Sequence, residues 1–209
     1  GAGNARQPAA RNSSRTVRTT LARLIHSINV TLDGCCDHLQ SIPDDEHHEY
    51  ALALLRGASG LVLGRNTFEL FENHWPQVAR SGKGPEAVVA LARAIDSIPR
   101  FVASRHRRDS QWAGTEFLSG DVPGAIRALK QRVSGDLVLF GSPGFARALA
   151  EANEIDEYHF LVQPIVAGRG PKVFDGLAGQ LDLVHLDTKV FRPGVHLTRW
   201  LPGALTNPG

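Results

Sequence analysis

The feature that most constrains the fold is residues 136–149, DLVLFGSPGFARAL, where an apolar run meets a turn of small residues and then a helical repeat. The run is of strand length and continuously apolar, which is typical of a central strand covered on both faces. The helical repeat that follows consists of Phe145, Ala148, Leu149 and Ala152. Unpaired N–H groups and the helix dipole favour a phosphate at such a helix start. A plain strand-to-helix connection is the alternative, so the anion site needs support elsewhere in the chain.

Composition places most of the chain in the globular class. Of 209 residues, 42% are hydrophobic and 21% charged. Residues 1–20 hold four arginines, no acid and no periodic hydrophobics, so we expect a disordered tail or cloning remnant there, with a transit peptide as the alternative. The rest carries about −2 net charge, which argues against a nucleic-acid surface. With no apolar run near the roughly 18 residues of a membrane span, we expect a soluble, cytoplasmic protein without a membrane partner.

The cysteines and histidines give a weak indication of a metal site. Cys35 and Cys36 are adjacent, an awkward geometry for a mutual disulfide. Together with His38, His47 and His48 they suggest zinc, but the spacing lacks both CxxC and HxxxH. We therefore predict that no metal is bound.

Eight strands are predicted, at residues 24–32, 61–63, 101–103, 115–118, 137–140, 157–166, 181–186 and 195–201. Five helices are predicted. The first follows the capping-box spacing of Ser41 and Asp44, the second covers 67–71 and the third 86–97. The fourth is capped by Asp121, and the fifth is the apolar repeat after residue 144. Strands and helices alternate in the first part of the chain, and the last three strands follow one another without helices. This order predicts an α/β fold with a mostly parallel central sheet, an antiparallel C-terminal edge and helices on both faces. No linker divides residues 21–202, so one domain is expected there, with 203–209 as a tail.

Three predicted strands end in small or basic residues, at 64–67 (GRNT), 104–105 (SR) and 141–144 (GSPG). Ligands of open α/β sheets bind outside the carboxyl ends of the strands, so the three ends are expected to line one anionic crevice. The chain has neither GxGxxG after the first strand nor GxxxxGK[ST] anywhere. Neither the usual dinucleotide fold nor a P-loop is therefore indicated.

The order of several segments resembles the dihydrofolate reductase superfamily, and within it the reductase domain of the bifunctional riboflavin-biosynthesis deaminase-reductase and its stand-alone relatives. Besides 136–149, the resemblance is carried by LDG at 32–34, LVLGRNTFE at 61–69, VASR at 102–105 and IDEYHFLVQPIVAGRGPKVF at 155–174. It covers roughly residues 21–200. The HxE and PCxxC zinc motif of the deaminases does not occur, so only the reductase part is resembled.

The resemblance implies that NADPH binds at the three strand ends. Residues that would meet the cofactor's phosphates are Gly64, Arg65, Asn66 and Thr67. The 2′-phosphate of the adenosine ribose would lie at Ser104 and Arg105. The pyrophosphate would be cradled by Gly141, Ser142, Gly144 and Phe145. Forked guanidinium bonds and a helix start both suit phosphate, whereas the alternative for Arg65 and Arg105 is an ordinary surface position. Many relatives have a second glycine in place of Ser142, so the peptides on either side of Ser142 are candidates for a cis bond.

Hydride transfer requires the protein to position C4 of the nicotinamide and to assist protonation of the acceptor. In dihydrofolate reductases, an acid near the start of the first helix assists with the proton. Residues 44–49, DDEHHE, offer several such groups, and we rank Asp33 and His48 highest as catalytic candidates. A plain turn role is the alternative for Asp33. Phe71 and Trp75 could stack on a planar substrate, with a role in the core as the alternative.

These observations predict an NADPH-dependent reductase of a small pteridine- or pyrimidine-like heterocycle. One alternative is a nucleotide-binding protein of the same fold without turnover. The other is a true dihydrofolate reductase, which is disfavoured because a cluster of acids and histidines replaces the single acid of the folate enzymes. The apolar segment 155–166 predicts a homodimer, as in relatives.

Overall fold

One eight-stranded sheet runs through the computed structural model, which describes residues 21–206. The predicted N-terminal tail, 1–20, and residues 207–209 lie outside the described residues. The strands are β1 (Leu24–Thr31), β2 (Ala58–Gly64), β3 (Arg100–Ala103), β4 (Thr115–Leu118), β5 (Asp136–Phe140), β6 (Glu157–Gln163), β7 (Gln180–Val190) and β8 (His196–Thr206). The helices within the described residues are α1 (Asp45–Arg56), α2 (Arg65–Ser81), α3 (Glu86–Ser97), α4 (Val122–Arg132) and α5 (Pro143–Glu151), with a 3-10 turn at His38–Gln40.

The strand order is β4-β3-β2-β5-β1-β6-β8-β7. The pairs from β4 to β6 are all parallel, whereas β8 runs antiparallel to both β6 and β7. This arrangement confirms the predicted fold class. It also means that the first six strands of this order present their carboxyl ends at one edge of the sheet, where ligands bind in open α/β folds.

Helices cover both faces of the sheet. On one face, Ile126 and Leu129 of α4 and Leu149 of α5 pack against β-strand side chains such as Leu137 and Leu139. On the other face, α1, α2 and α3 bury Leu55, Phe68 and Ile95 against the sheet. The uninterrupted apolar run in β5 is explained by this two-sided burial, because Leu137, Val138 and Leu139 all have zero exposure.

Four elements show the main differences from the predicted boundaries. The N-cap of α1 is Asp44 rather than Ser41, and its side chain accepts a hydrogen bond from the His47 N–H. Helix α2 continues through Pro76 to Ser81, because burial of its apolar face outweighs the one backbone bond that proline removes. Strand β6 ends at Gln163, just before Pro164, and β8 continues through Thr206, so residues 203–206 of the predicted tail belong to a strand.

The Asp44→Ala variant is expected to lower the free energy of unfolding by about 1 kcal/mol, the usual value of an N-cap bond. The reason is the 2.9 Å bond from the His47 N–H to Asp44 Oδ1, which satisfies a donor that the helix leaves unpaired. Urea denaturation measures the change. Glu49→Ala, at an exposed position of the same helix, is the matched control. Equal losses in both variants would contradict the capping role.

In the described part of the chain, no helix has the length and apolar character that crossing a bilayer requires.

Candidate functional site

A cavity of about 660 Å³ opens beside the carboxyl ends of β1, β2 and β5. Most of its walls come from β1, the loop before α1, α1 itself, the first half of α2, and the turn between β5 and α5. Residues of α3, β6 and the loop after β6 complete them, namely Leu91, Ile95, Leu161 and Pro171. Of the residues predicted to form the site, the cavity brings together His48, Asn66, Thr67, Phe71, Trp75, Gly141 and Ser142. Side chains separated by up to about 90 residues in the sequence therefore meet in one concave space, as expected where parallel strands end together.

The turn after β5 is fastened to the end of β2 through Ser142. The Gly64 N–H donates to Ser142 Oγ at 2.8 Å, Oγ donates to the Phe140 carbonyl, and the Ser142 N–H donates to Thr67 Oγ1. Gly141 and Ser142 both have left-handed backbones, with φ of 56° and 53°. Neither peptide beside Ser142 is cis, and no cis bond occurs in residues 21–206. Two consecutive left-handed residues therefore make the turn.

A side chain at position 64 would crowd Ser142. A Cβ at this position would lie 3.2 Å from both Cβ and Oγ of Ser142. A buried histidine supports the turn from behind: Nε2 of His26 lies 2.8 Å from the Gly141 carbonyl oxygen. Burial lowers the pKa of His26 to about 4, so the ring is neutral and donates from Nε2. Gly64 is thus a packing residue behind the cavity wall and does not line it.

Two helices begin at the cavity without a side-chain cap. Helix α2 starts after Gly64 and α5 after Ser142, and neither N-cap residue bonds a first-turn N–H through its side chain. By contrast, Asp44 and Asp121 cap α1 and α4 with their carboxylates. The unpaired N–H groups and dipoles of α2 and α5 therefore make this end of the cavity electropositive and suited to phosphate.

The other walls of the cavity are aromatic. Phe71 and Trp75 contact each other edge to face with ring centroids 6.0 Å apart, and Phe71 also contacts Phe140. The rings of His47 and His48 stack at 6.0 Å, and burial lowers the pKa of His47. Nδ1 of His48 is enclosed and has no hydrogen-bond partner among residues 21–206. A planar ligand would find aromatic stacking surfaces here.

Asp33 is not among the residues that line the cavity. Its carboxylate accepts hydrogen bonds from Thr31 Oγ1 and from the N–H groups of Ala167 and Gly168. The Thr31 hydroxyl bond, followed by the two backbone bonds, holds the pKa of Asp33 well below its usual range. The carboxylate is thereby committed to fastening the turn after β1 to the loop after β6, which is the turn role left open above.

The predicted arginines lie at the rim. Arg105 follows β3, the strand beside β2, and is exposed, while buried Ser104 accepts the Arg107 N–H through Oγ. Arg65 is also exposed, with its guanidinium 3.9 Å from Glu69. In the first turn of α5, Gly144 is exposed, and Phe145 packs against the core. None of these five predicted residues, Arg65, Ser104, Arg105, Gly144 and Phe145, lines the cavity itself, but all follow strands at the same sheet edge as its electropositive end.

Sequence reasoning missed several cavity residues, chiefly Ser27, Asn29, Tyr50 and Phe140. A signal existed for the first two, because Ser27 and Asn29, like His26 and Thr31, are polar side chains in a strand that is buried at seven of its eight positions. A polar side chain in a central strand requires a partner or a ligand. Tyr50 had no such signal, since its partners come from distant parts of the chain.

Comparisons with known proteins agree with this geometry. The profile of the RibD C-terminal domain family matches residues 22–197. The uncharacterized protein YyaP of Bacillus subtilis (strain 168) is 23% identical over 180 residues, which cover 83% of this chain and 91% of YyaP. A pyrimidine reductase-like protein from Corynebacterium diphtheriae has a TM-score of 0.61 at 14% identity, covering 88% of this chain and 92% of that one.

A dihydrofolate reductase from Enterococcus faecalis, solved as a complex with NADP(H), has a TM-score of 0.55 at 15% identity and covers 87% of this chain and 97% of its own. The fold is therefore dihydrofolate-reductase-like, as the sequence resemblance implied.

Proposed function

Since the chain belongs to the RibD C-terminal domain family, we propose that it is an NADPH-dependent reductase that transfers a hydride to a small pteridine- or pyrimidine-like heterocycle. The observation that carries the proposal is the cavity, in which an aromatic pocket meets two uncapped helix starts. A cofactor with a phosphate-rich end and a planar reactive end requires both features in one space.

The residues present fit NADPH end to end. The first-turn N–H groups of α2 and α5 would hold the pyrophosphate, and exposed Arg105 would pair with the 2′-phosphate. When bound, the cofactor supplies a hydride from its dihydronicotinamide ring. Phe71 and Trp75 would orient the acceptor heterocycle by stacking and exclude water from it. His48, which lines the cavity, would hydrogen-bond the acceptor.

The cavity offers less support for a true dihydrofolate reductase. None of the acids at 44–49 lines the cavity: Asp44 caps α1, Glu46 accepts the Arg192 N–H at 2.6 Å, and Asp45 and Glu49 are exposed. The acid that does line the cavity is Asp37, whose carboxylate accepts the Leu39 N–H in the 3-10 turn. A folate-type acid on the first helix is thus not available at the described site.

A homodimer would not form through the backbone of the segment 155–166, from which it was expected. Strand β6 is paired with β1 on one side and β8 on the other, so its backbone groups are not open to a second copy. The open edge at this end of the sheet is β7, which exposes Val184, Leu186 and Val190. A second copy would therefore meet the β7 edge.

Arg105→Ala is expected to weaken NADPH binding about tenfold and to leave NADH binding unchanged, because only NADPH carries the 2′-phosphate that the guanidinium would pair with. Fluorescence titration of both cofactors measures this difference. Arg56→Ala, which removes an exposed arginine at the far end of α1, is the matched control. A parallel titration of the wild type with pterin and pyrimidine acceptors would follow NADPH oxidation. Binding without oxidation would favour the non-catalytic alternative, and no binding of either cofactor would overturn the proposal.

A further inference from the structure

A line of four hydrogen-bonding side chains leads away from the cavity, formed by Ser27, Tyr50, His159 and Glu157. Ser27 Oγ lies 2.9 Å from the Tyr50 hydroxyl, which lies 2.7 Å from Nδ1 of His159. On the other side of the ring, Nε2 of His159 lies 2.7 Å from Glu157 Oε1. All three separations are within ordinary hydrogen-bond distance, so the groups form one continuous chain.

The hydrogen-bonded side chains face two different cavities. Ser27 and Tyr50 line the large cavity beside the β5–α5 turn. Tyr50 and His159 also line a second cavity of about 420 Å³, which lies between α1 and the strands β7 and β8. Tyr50 is thus shared by both cavities, and the hydrogen-bonded chain connects them through the protein interior.

We propose that Tyr50 and His159 form a proton relay that carries a proton from the second cavity to the substrate in the large cavity. The proposal rests on the reductase function proposed above, since hydride transfer to a heterocycle requires one proton for each turnover. It adds Tyr50 as a catalytic residue and His159, with Glu157, as positioning residues behind it.

The chemistry balances as follows. The hydride adds to the carbon of a C=N bond in the substrate, and the π electron pair of that bond moves to the nitrogen. The nitrogen takes the proton of the Tyr50 hydroxyl, and the Tyr50 oxygen takes the Nδ1 proton of a His159 imidazolium. His159 becomes neutral, keeps its Nε2–H on Glu157, and takes up a proton from bulk solvent by way of the second cavity. The sum is one NADPH and one proton consumed for each C=N bond reduced.

Burial lowers the pKa of His159, so its imidazolium is a minor, transient form, and the hydrogen bond to the Glu157 carboxylate favours that form. Glu157 lies on its own strand, is buried, and is also paired with Arg23 at 2.7 Å. The other titratable or charged groups that face His159 are Tyr50 from α1, His26 from β1, Asp187 and Lys189 from β7, and Arg199 from β8. Arg199 is ion-paired with Asp187, which offsets its repulsion of the imidazolium.

A purely structural role explains this chain less well. A phenylalanine at position 50 would fill the same space on a helix whose other buried positions, Ala51 and Leu55, are apolar. Placing a tyrosine, a histidine and a glutamate there instead incurs desolvation that an apolar core avoids. Burial raises the pKa of the Tyr50 phenol, so the hydroxyl keeps its proton and can donate it.

Tyr50→Phe and His159→Gln test the relay. Both variants are expected to lower kcat about tenfold with little change in NADPH affinity, and the double variant should lose no more than either single one, because the residues act as a unit. The wild-type kcat should fall as the pH rises, since the donating imidazolium is lost. Both variants should lack this pH dependence. Tyr158→Phe, at a buried tyrosine of β6 that lines neither cavity, is the matched control and should keep the wild-type profile.

The outcomes separate the relay from the function it serves. Wild-type kcat and pH dependence in Tyr50→Phe would overturn the relay and leave the reductase function standing. Absence of NADPH oxidation by the wild type with every acceptor would overturn both. Independently of turnover, histidine side-chain NMR should show the His159 Nε2–H tautomer and a titration that moves in Tyr50→Phe. A titration that is identical in both proteins would overturn the coupling between Tyr50 and His159.

Discussion

Gly144→Asp is expected to weaken NADPH binding about 30- to 100-fold while making the protein slightly more stable. Gly144 lies in the first turn of α5, is exposed, and has no atom within 4 Å of the position that a Cβ would take. A carboxylate therefore fits there, and its interaction with the helix dipole contributes about 0.3–1 kcal/mol to stability. The same charge would repel a phosphate about 6 Å away by about 2–3 kcal/mol at an effective dielectric constant of about 20.

The opposite signs of the two effects make this variant informative. Isothermal titration with NADPH gives the affinity, and thermal unfolding without ligand gives the stability. Gly144→Asn, which has nearly the same shape without the charge, is the matched control and should bind within about threefold of the wild type. Equal affinities of the Asp and Asn variants would show that no phosphate lies at the start of α5, and the cofactor would then need another position.

Much of the fold could be predicted because its local signals agree with its tertiary packing. Helix α3 and strand β4 have the predicted bounds, and Asp121 caps α4 as expected. The errors lie where packing overrides a local signal. Pro76 is a helix breaker by its backbone chemistry, yet α2 continues through it because Pro76 itself and the apolar face before it, including Phe68, Phe71 and Trp75, are packed. Ser41 has a capping-box spacing, but Asp44 is the cap that the chain uses.

The candidate site could be predicted only in its local parts. The turn at 141–144 and the start of α2 can be recognised in a short stretch of sequence, because strand, small residues and helix follow one another. The link between Tyr50 and His159 joins residues 109 positions apart and depends on how α1 lies across β6. No spacing rule contains this information. Asp33 is a candidate at the end of a strand in the sequence, and its partners at Ala167 and Gly168 become visible only in the folded chain.

The largest loss of stability is expected for Phe68→Ala, at about 3–5 kcal/mol. Phe68 has zero exposure and contacts Trp112 and Phe117 with ring centroids 5.9 and 5.6 Å away, so its removal leaves a cavity between α2 and the sheet. At about 2–4 °C per kcal/mol for a chain of this size, the melting temperature should fall by roughly 6–20 °C. Phe68→Leu should lose about 1 kcal/mol, and Asn73→Ala, at an exposed position of α2, almost nothing.

The same variant links the core to the site. Thr67, next to Phe68 in sequence, lines the cavity and accepts the Ser142 N–H, so loosening α2 should also loosen the turn that would hold the pyrophosphate. NADPH binds only the folded state, and saturating cofactor should therefore restore part of the lost melting temperature in Phe68→Ala. If Phe68→Ala and Asn73→Ala have the same melting temperature, the aromatic cluster does not support α2. If it melts lower but NADPH has no effect, α2 supports the fold without supporting the cofactor.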